Sequence, residues 1–172
     1  MQKALRALNQ SLARLDLKAK LLIGGGGAFN LAYAIPLRTQ DIDGVLFKSD
    51  LSPHELDQAV KQVAKELKLP PDWLNPYFET FLYCLPTDYA DRLLSVYKAS
   101  HLQVFALSIH DLLVMKCFAG REKDLPHAKL LVKKGADLNF VQEHMEKLKA
   151  KGIPDAAKAL DFLYEVEDSL ED

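Results

Sequence analysis

The sequence predicts an α/β protein, with a small sheet-and-helix core over residues 1–107 and a helical region over 108–172 packed on it as one compact unit. Three observations carry that prediction. Short apolar runs alternate with amphipathic stretches up to residue 107. Every segment after Ser108 reads as helix. The 172 residues, 49% of them apolar and 27% charged, supply enough apolar material for a real core, which excludes a disordered chain.

Taken in order, Leu5, Leu8, Leu12 and Leu15 recur at three- and four-residue spacings between Lys3, Arg6 and Arg14, the pattern of an amphipathic helix. Leu21-Leu22-Ile23 is a short strand stopped by Gly24-Gly25-Gly26-Gly27, and Ala28 to Ala34 is compatible with helix. Asp41 to Phe47 alternates and then turns apolar, which predicts a strand with its acids on one face. Ser52-Pro53-His54-Glu55 is a capping box with proline at the first helical position, followed by the stripe Leu56, Val60, Val63 and Leu67. From Pro70 to Tyr89 prolines and aromatics show no sustained period, so an irregular layer over the sheet is expected. Leu93–Tyr97 and Leu102–Leu107 are late strands. Ser108-Ile109-His110-Asp111 is a second capping box, Lys133-Lys134-Gly135 a helix end, Asp137 an N-cap and Pro154-Asp155 a further helix start.

The net charge of −2 hides an uneven distribution. Residues 1–20 carry five basic residues against Asp16, residues 116–152 carry nine basic against five acidic, and residues 161–172 hold six acidic and no basic residues. Such asymmetry allows a basic anion-binding face on a protein that is not basic overall. No apolar run approaches a membrane span and no signal pattern opens the chain, so a cytoplasmic protein with no membrane association is expected. Cys84 and Cys117 have no metal-ligand spacing and read as structural thiols; the five histidines have none either.

Backbone N–H groups at a glycine turn leading into a helix form an anion site. The run Gly24–Gly27 is not a P-loop, which needs Lys-Ser/Thr after its last glycine where this chain has Ala28-Phe29. Nor is it a dinucleotide fingerprint, because Phe29 stands where a third small residue is needed. Asp41 and Asp43 follow fourteen residues beyond Gly27. Two residues apart on a strand, their carboxylates project to one side about 6 to 7 Å apart along the chain. Like charges that close repel unless a cation lies between them, and hard oxygen donors suit Mg²⁺ or Mn²⁺. Two solvated acids at a strand edge, or acids paired with Arg38, is the plainer alternative. In the helical region, a helix continuing past Ala119 puts Lys116, Gly120 and Lys123 on one face with Arg121 and Asp124 beside them, a cradle for a triphosphate. An exposed basic helix with an Arg121–Asp124 surface pair is its alternative.

Ile23-Gly24-Gly25-Gly26-Gly27-Ala28 followed by Arg38-Thr39-Gln40-Asp41-Ile42-Asp43 resembles the minimal nucleotidyltransferase superfamily, of DNA polymerase beta-like fold. The phrase Arg38-Thr39-Gln40-Asp41-Ile42-Asp43, together with Lys116 to Asp124, is similar to a bacterial nucleotidyltransferase-like group of unknown function related to AbiE-type toxins. The resemblance covers residues 21 to about 135. It implies a small mixed sheet with flanking helices, a nucleoside triphosphate as substrate, Asp41 and Asp43 as metal ligands and catalytic acids, and Gly24, Gly25 and Gly26 with Lys116, Arg121 and Lys123 on the phosphates. It further implies transfer of a nucleotidyl group to RNA, protein or a small-molecule hydroxyl, in a toxin–antitoxin setting. Active relatives carry a third carboxylate on a later strand, and neither late strand here has one; Asp124 is the first substitute, ahead of Asp91 and Asp88, and His127 stands where the toxin-like motif often has an Asp. A catalytically degenerate nucleotide- or protein-binding module on the same scaffold is the competing expectation.

Overall fold

The computed structural model describes residues 1–37, 39 and 41–171, and the chain packs as two compact units. One unit comprises residues 1–79 and 93–107, the other residues 80–92 and 108–172.

The first unit is a five-stranded mixed sheet with helices. In chain order it contains α1 (Gln2–Arg14), β1 (Ala19–Ile23), α2 (Gly25–Tyr33), β2 (Ile42–Leu46), α3 (Pro53–Leu67), β3 (Leu74–Asn75), β4 (Leu94–Lys98) and β5 (Leu102–Ala106). The strand order is β3-β2-β1-β5-β4. β1 runs antiparallel to β2 and parallel to β5, β2 is parallel to β3, and β4 closes antiparallel to β5. Alternation and register put Leu21, Ile23, Val104 and Ala106 on one face, all fully buried. α1 buries Leu5, Leu8 and Leu12 as its spacing predicts, but it ends at Arg14 and leaves Leu15 exposed, because the next residue, Asp16, turns left-handed at φ +53°. α3 starts as its capping box dictates: Ser52 Oγ accepts from Glu55 N at 3.3 Å and Glu55 Oε2 accepts from Ser52 N at 2.9 Å.

The second unit is helical, with α4 (Ile109–Ala119), α5 (Leu125–Lys133), α6 (Leu138–Ala150) and α7 (Ala156–Glu171). Ser108 caps α4, accepting from Asp111 N, and Asp137 caps α6, accepting from Phe140 N. The segment expected as an irregular cover is better ordered than that. Leu74 and Asn75 pair with Ile42 and Asp43 as the edge strand β3, and residues 80–92, mostly in 3₁₀ turns, belong to the helical unit. There His144 contacts the Cys84 carbonyl at 2.7 Å, and the Arg92 guanidinium lies over the Phe140 ring at 5.1 Å. Cys84 and Cys117 are buried free thiols; burial pushes Cys84 up to about 12 and Cys117 up as well, so neither is a nucleophile at neutral pH. No helix among the described residues is long and apolar enough to cross a membrane.

Ser52→Ala removes the α3 cap and is expected to lower unfolding stability by about 1 kcal/mol in urea titration.

Candidate active site

The glycine run does not precede its helix as a separate turn; it forms the helix's first turn. Gly24 is the N-cap in extended conformation and Gly25 to Gly27 open α2, with Ala28 N donating to Gly24 O as the first helical bond. The N-cap, being glycine, has no side chain to cap this end. Amides of a first turn have no intrahelical acceptor, so the end of α2 presents donors and positive dipole, which suits an anion.

Asp43 reaches this turn across the β1–β2 ladder. Gly24 N donates to Asp43 O at 3.0 Å, which continues the antiparallel pairing one residue past Ile23–Gly44. The Asp43 carboxylate then lies against the Gly25 backbone so closely that a Cβ on Gly25 would overlap Asp43 Oδ2. Gly25 also has φ +53°, so both its conformation and its neighbour require glycine.

Asp41 precedes β2 rather than lying within it, and two side chains hold it. Thr39 Oγ1 donates to Asp41 Oδ1 at 2.7 Å, and Asn75 Nδ2 donates to Asp41 Oδ2 at 3.3 Å. Thr39 is also packed on the glycines, its Cβ 3.0 Å from where a Cβ on Gly26 would stand, and Asn75 is the β3 partner of Asp43. Asp41, Asp43, Gly25 and Gly26 therefore meet at one corner of the first unit, joined through Thr39 and Asn75. Arg38 and Gln40, the other members of the motif, lie outside the described residues. Asn75 has no clear signal in the sequence beyond an Asn-Pro break after a two-residue apolar run, because its role arises from strand pairing.

Among the described residues no group of three or more His, Cys, Asp or Glu side chains is arranged to hold a metal ion. Two carboxylates are nevertheless the protein donor set that Mg²⁺ commonly takes when substrate phosphates and water complete its shell, and each Asp41 oxygen keeps a lone pair beyond the bond it accepts. The donor chemistry fits a hard divalent cation.

The second cluster lies within the helical unit and departs from the sequence expectation. α4 stops at Ala119 because Gly120 turns left-handed at φ +52° as its C-cap, so Lys116, Gly120 and Lys123 do not share one helix face. Gly120 there ends a helix; it does not clear room on one. The chain returns through a 3₁₀ turn over Glu122–Asp124, which brings Asp124 back to Lys116. Asp124 is fully buried and accepts from Lys116 Nζ at 2.7 Å and from Arg121 Nε at 2.6 Å, with Arg121 Nη2 at 3.2 Å. Burial pushes the Asp124 carboxyl up, but the Arg121 and Lys116 bonds outweigh it and hold it below the usual aspartate value. Burial and the neighbouring Lys116 charge push His127 down, so it is neutral at pH 7. Lys123 and Arg121 are exposed. Asp88 and Asp91 lie in the helical unit, where Asp88 pairs with Arg92 at 2.7 Å; Arg92 also binds buried Asp111 at 3.0 Å. Neither β4 nor β5 carries an acid, as the sequence indicates.

A mixed sheet whose first strand leads through glycines into a helix, with one acid on the adjacent antiparallel strand and a second just before it, defines a nucleotidyltransferase-like protein. The chain belongs to the family described as "Nucleotidyltransferase of unknown function (DUF6036)", whose model matches residues 3–171. No curated protein and no solved structure matches the chain.

Two outcomes test this geometry. Gly25→Ala is expected to destabilise the protein by about 2 kcal/mol or more, since it adds left-handed strain to the displacement of Asp43; a urea midpoint equal to wild type would contradict it. Asp124→Asn should cost about 2–3 kcal/mol, toward the low end for a broken buried pair because Arg121 is 41% exposed. The folded pKa of Asp124 is depressed, so its contribution is present above about pH 4 and lost as pH falls through the folded value; wild type should therefore lose stability in that acid range more steeply than Asp124→Asn.

Proposed function

We propose that the protein is a metal-dependent nucleotidyltransferase that moves a nucleoside monophosphate from a triphosphate to an acceptor hydroxyl, and the single observation carrying this is the meeting of the α2 first turn with Asp41 and Asp43. The amides of Gly25, Gly26 and Gly27 bind phosphate oxygens, and the glycines let those oxygens approach the backbone. Asp41 and Asp43 hold Mg²⁺ or Mn²⁺, which when bound draws charge from the phosphate oxygens and lowers the barrier to displacement. Thr39 and Asn75 fix the Asp41 carboxylate, so its orientation is set before substrate arrives. In the transfer, the acceptor oxygen forms a bond to the α-phosphorus as the bond to the β-phosphate oxygen breaks, pyrophosphate leaves with the electron pair, and the hydroxyl proton passes to water.

Asp124 acts in this proposal by holding Lys116 and Arg121; a carboxylate held below its usual pKa and occupied by two cations is a weak proton acceptor at neutral pH. The absence of an acid on β4 and β5 favours a second reading, a nucleotide-binding module that does not turn its ligand over, such as one member of a toxin–antitoxin pair.

Incubating the full chain with each NTP labelled at the α-phosphate, Mg²⁺ and total cell RNA or protein separates the two. Transfer predicts labelled acceptor and released pyrophosphate, both reduced at least about 100-fold in Asp43→Asn. Calorimetric binding of NTP without pyrophosphate release from any acceptor supports the binding module, and equal pyrophosphate release from Asp43→Asn contradicts the assignment of the site.

A further inference from the structure

The face of the sheet opposite buried Leu21 and Ile23 has an ordered composition. Register and alternation sort it into three rows across β4, β5, β1 and β2. The row at the acids holds Gly24 and Asp43, joined by the Gly24 N to Asp43 O bond, with Leu107 alongside through its bond to Ile23 O. The middle row is Ser95, Phe105, Leu22 and Val45. The far row is Lys98, Gln103, Lys20 and Phe47, the last joined to Lys20 by Phe47 N donating to Lys20 O at 2.9 Å. An independent contact confirms the common face: the Phe47 and Phe105 rings lie edge to face with centroids 6.1 Å apart. Both rings are only half-buried and Lys20, Lys98 and Ser95 are exposed, while Leu22, Val45 and Leu107 of the same face are buried.

Beyond the far row the chain forms a cavity of about 600 Å³ lined in part by Lys18, Lys20, Lys48 and His101. Lys48 Nζ stands 5.3 Å from the Phe47 ring centre, so the cations and the rings are continuous. The same cavity is lined by three acids, Asp16, Asp50 and Glu55, of which Glu55 is turned to the α3 cap. Phe47 lies four residue steps along the strand from Asp43, about 13 Å.

We propose that the accessible part of this sheet face is a platform for single-stranded nucleic acid, with bases on Phe105 and Phe47, phosphates along Lys98, Lys20, Lys48 and Lys18, and the strand's end lying toward Asp43 and Asp41. Ring faces accept any base and lysines follow the backbone, which is the composition a single strand requires. The proposal rests on the transfer reading only in making that strand's terminal hydroxyl the acceptor. Binding itself does not need the chemistry.

The test is fluorescence anisotropy of a labelled twelve-residue RNA, and of its DNA equivalent, with the full chain in the absence of nucleotide and metal, so that it succeeds or fails independently of any transfer. Wild type should bind at least one of the two oligonucleotides, and the better one identifies the source. Lys20→Ala and Lys98→Ala, both at exposed positions, should each reduce the slope of log affinity against log salt by about 0.7. Phe105→Leu, which keeps apolar volume and removes the ring, should weaken binding about 5-fold or more at fixed salt. A fully paired duplex of the same sequence should bind more weakly, since its stacked bases cannot reach the rings. No binding of either strand at low salt, lysine variants with the wild-type salt slope, or equal binding of duplex or of polyphosphate of the same charge would overturn the proposal.

Discussion

The Asp43 carboxylate pressed against the backbone of Gly25 is the contact on which the rest of the first unit's chemistry depends. A side chain at Gly25 would take the place of Asp43 Oδ2, and the left-handed φ would in any case be strained for one. Because Gly24 also bonds to the Asp43 carbonyl, the start of α2 and the start of β2 are fixed relative to each other by backbone and by side chain. Thr39 adds the second tie, touching Gly26 with one side and Asp41 with the other. A helix N-terminus and two carboxylates have opposite preferences for charge, the first for anions and the second for cations. Held together, they match a ligand that carries both, such as a metal–triphosphate.

The helical unit shows a different use of charge. Asp124 and Asp111 are fully buried and each is answered by basic side chains, Lys116 and Arg121 for one and Arg92 for the other. Buried ion pairs add little net stability over an apolar pair, but they fix geometry because every alternative arrangement leaves a charge unpaired. Here they fix the return of the chain after Gly120 and the docking of residues 88–92 onto α4.

Elements set by contacts close in sequence were legible beforehand. The caps at Ser52, Ser108 and Asp137 depend on a side chain reaching an amide three residues on, and each formed where the sequence indicates. The glycine run and Asp-x-Asp were legible as a pair, since each constrains the ligand that the other can take. Legibility failed where a distant partner decides the outcome. Asn75 joins the site only through pairing of a two-residue strand, and residues 80–92 join the helical unit through partners 19 to 60 positions away. The expected helix through Lys123 failed for a local reason: glycine after a lysine-bearing last turn is itself a stop signal, and the basic spacing obscured it.

The central claim is that the α2 first turn and the two acids form one ligand site, and paramagnetic relaxation by Mn²⁺ tests it most directly. In the presence of a non-hydrolysable nucleoside triphosphate, substoichiometric Mn²⁺ should broaden the amide resonances of Gly24 to Gly27 and of Asp41 to Gly44 first, well before those of the acid-rich α7. Broadening that begins at α7, or spreads without preference over exposed acids while residues 24–27 and 41–44 stay sharp, would contradict the account.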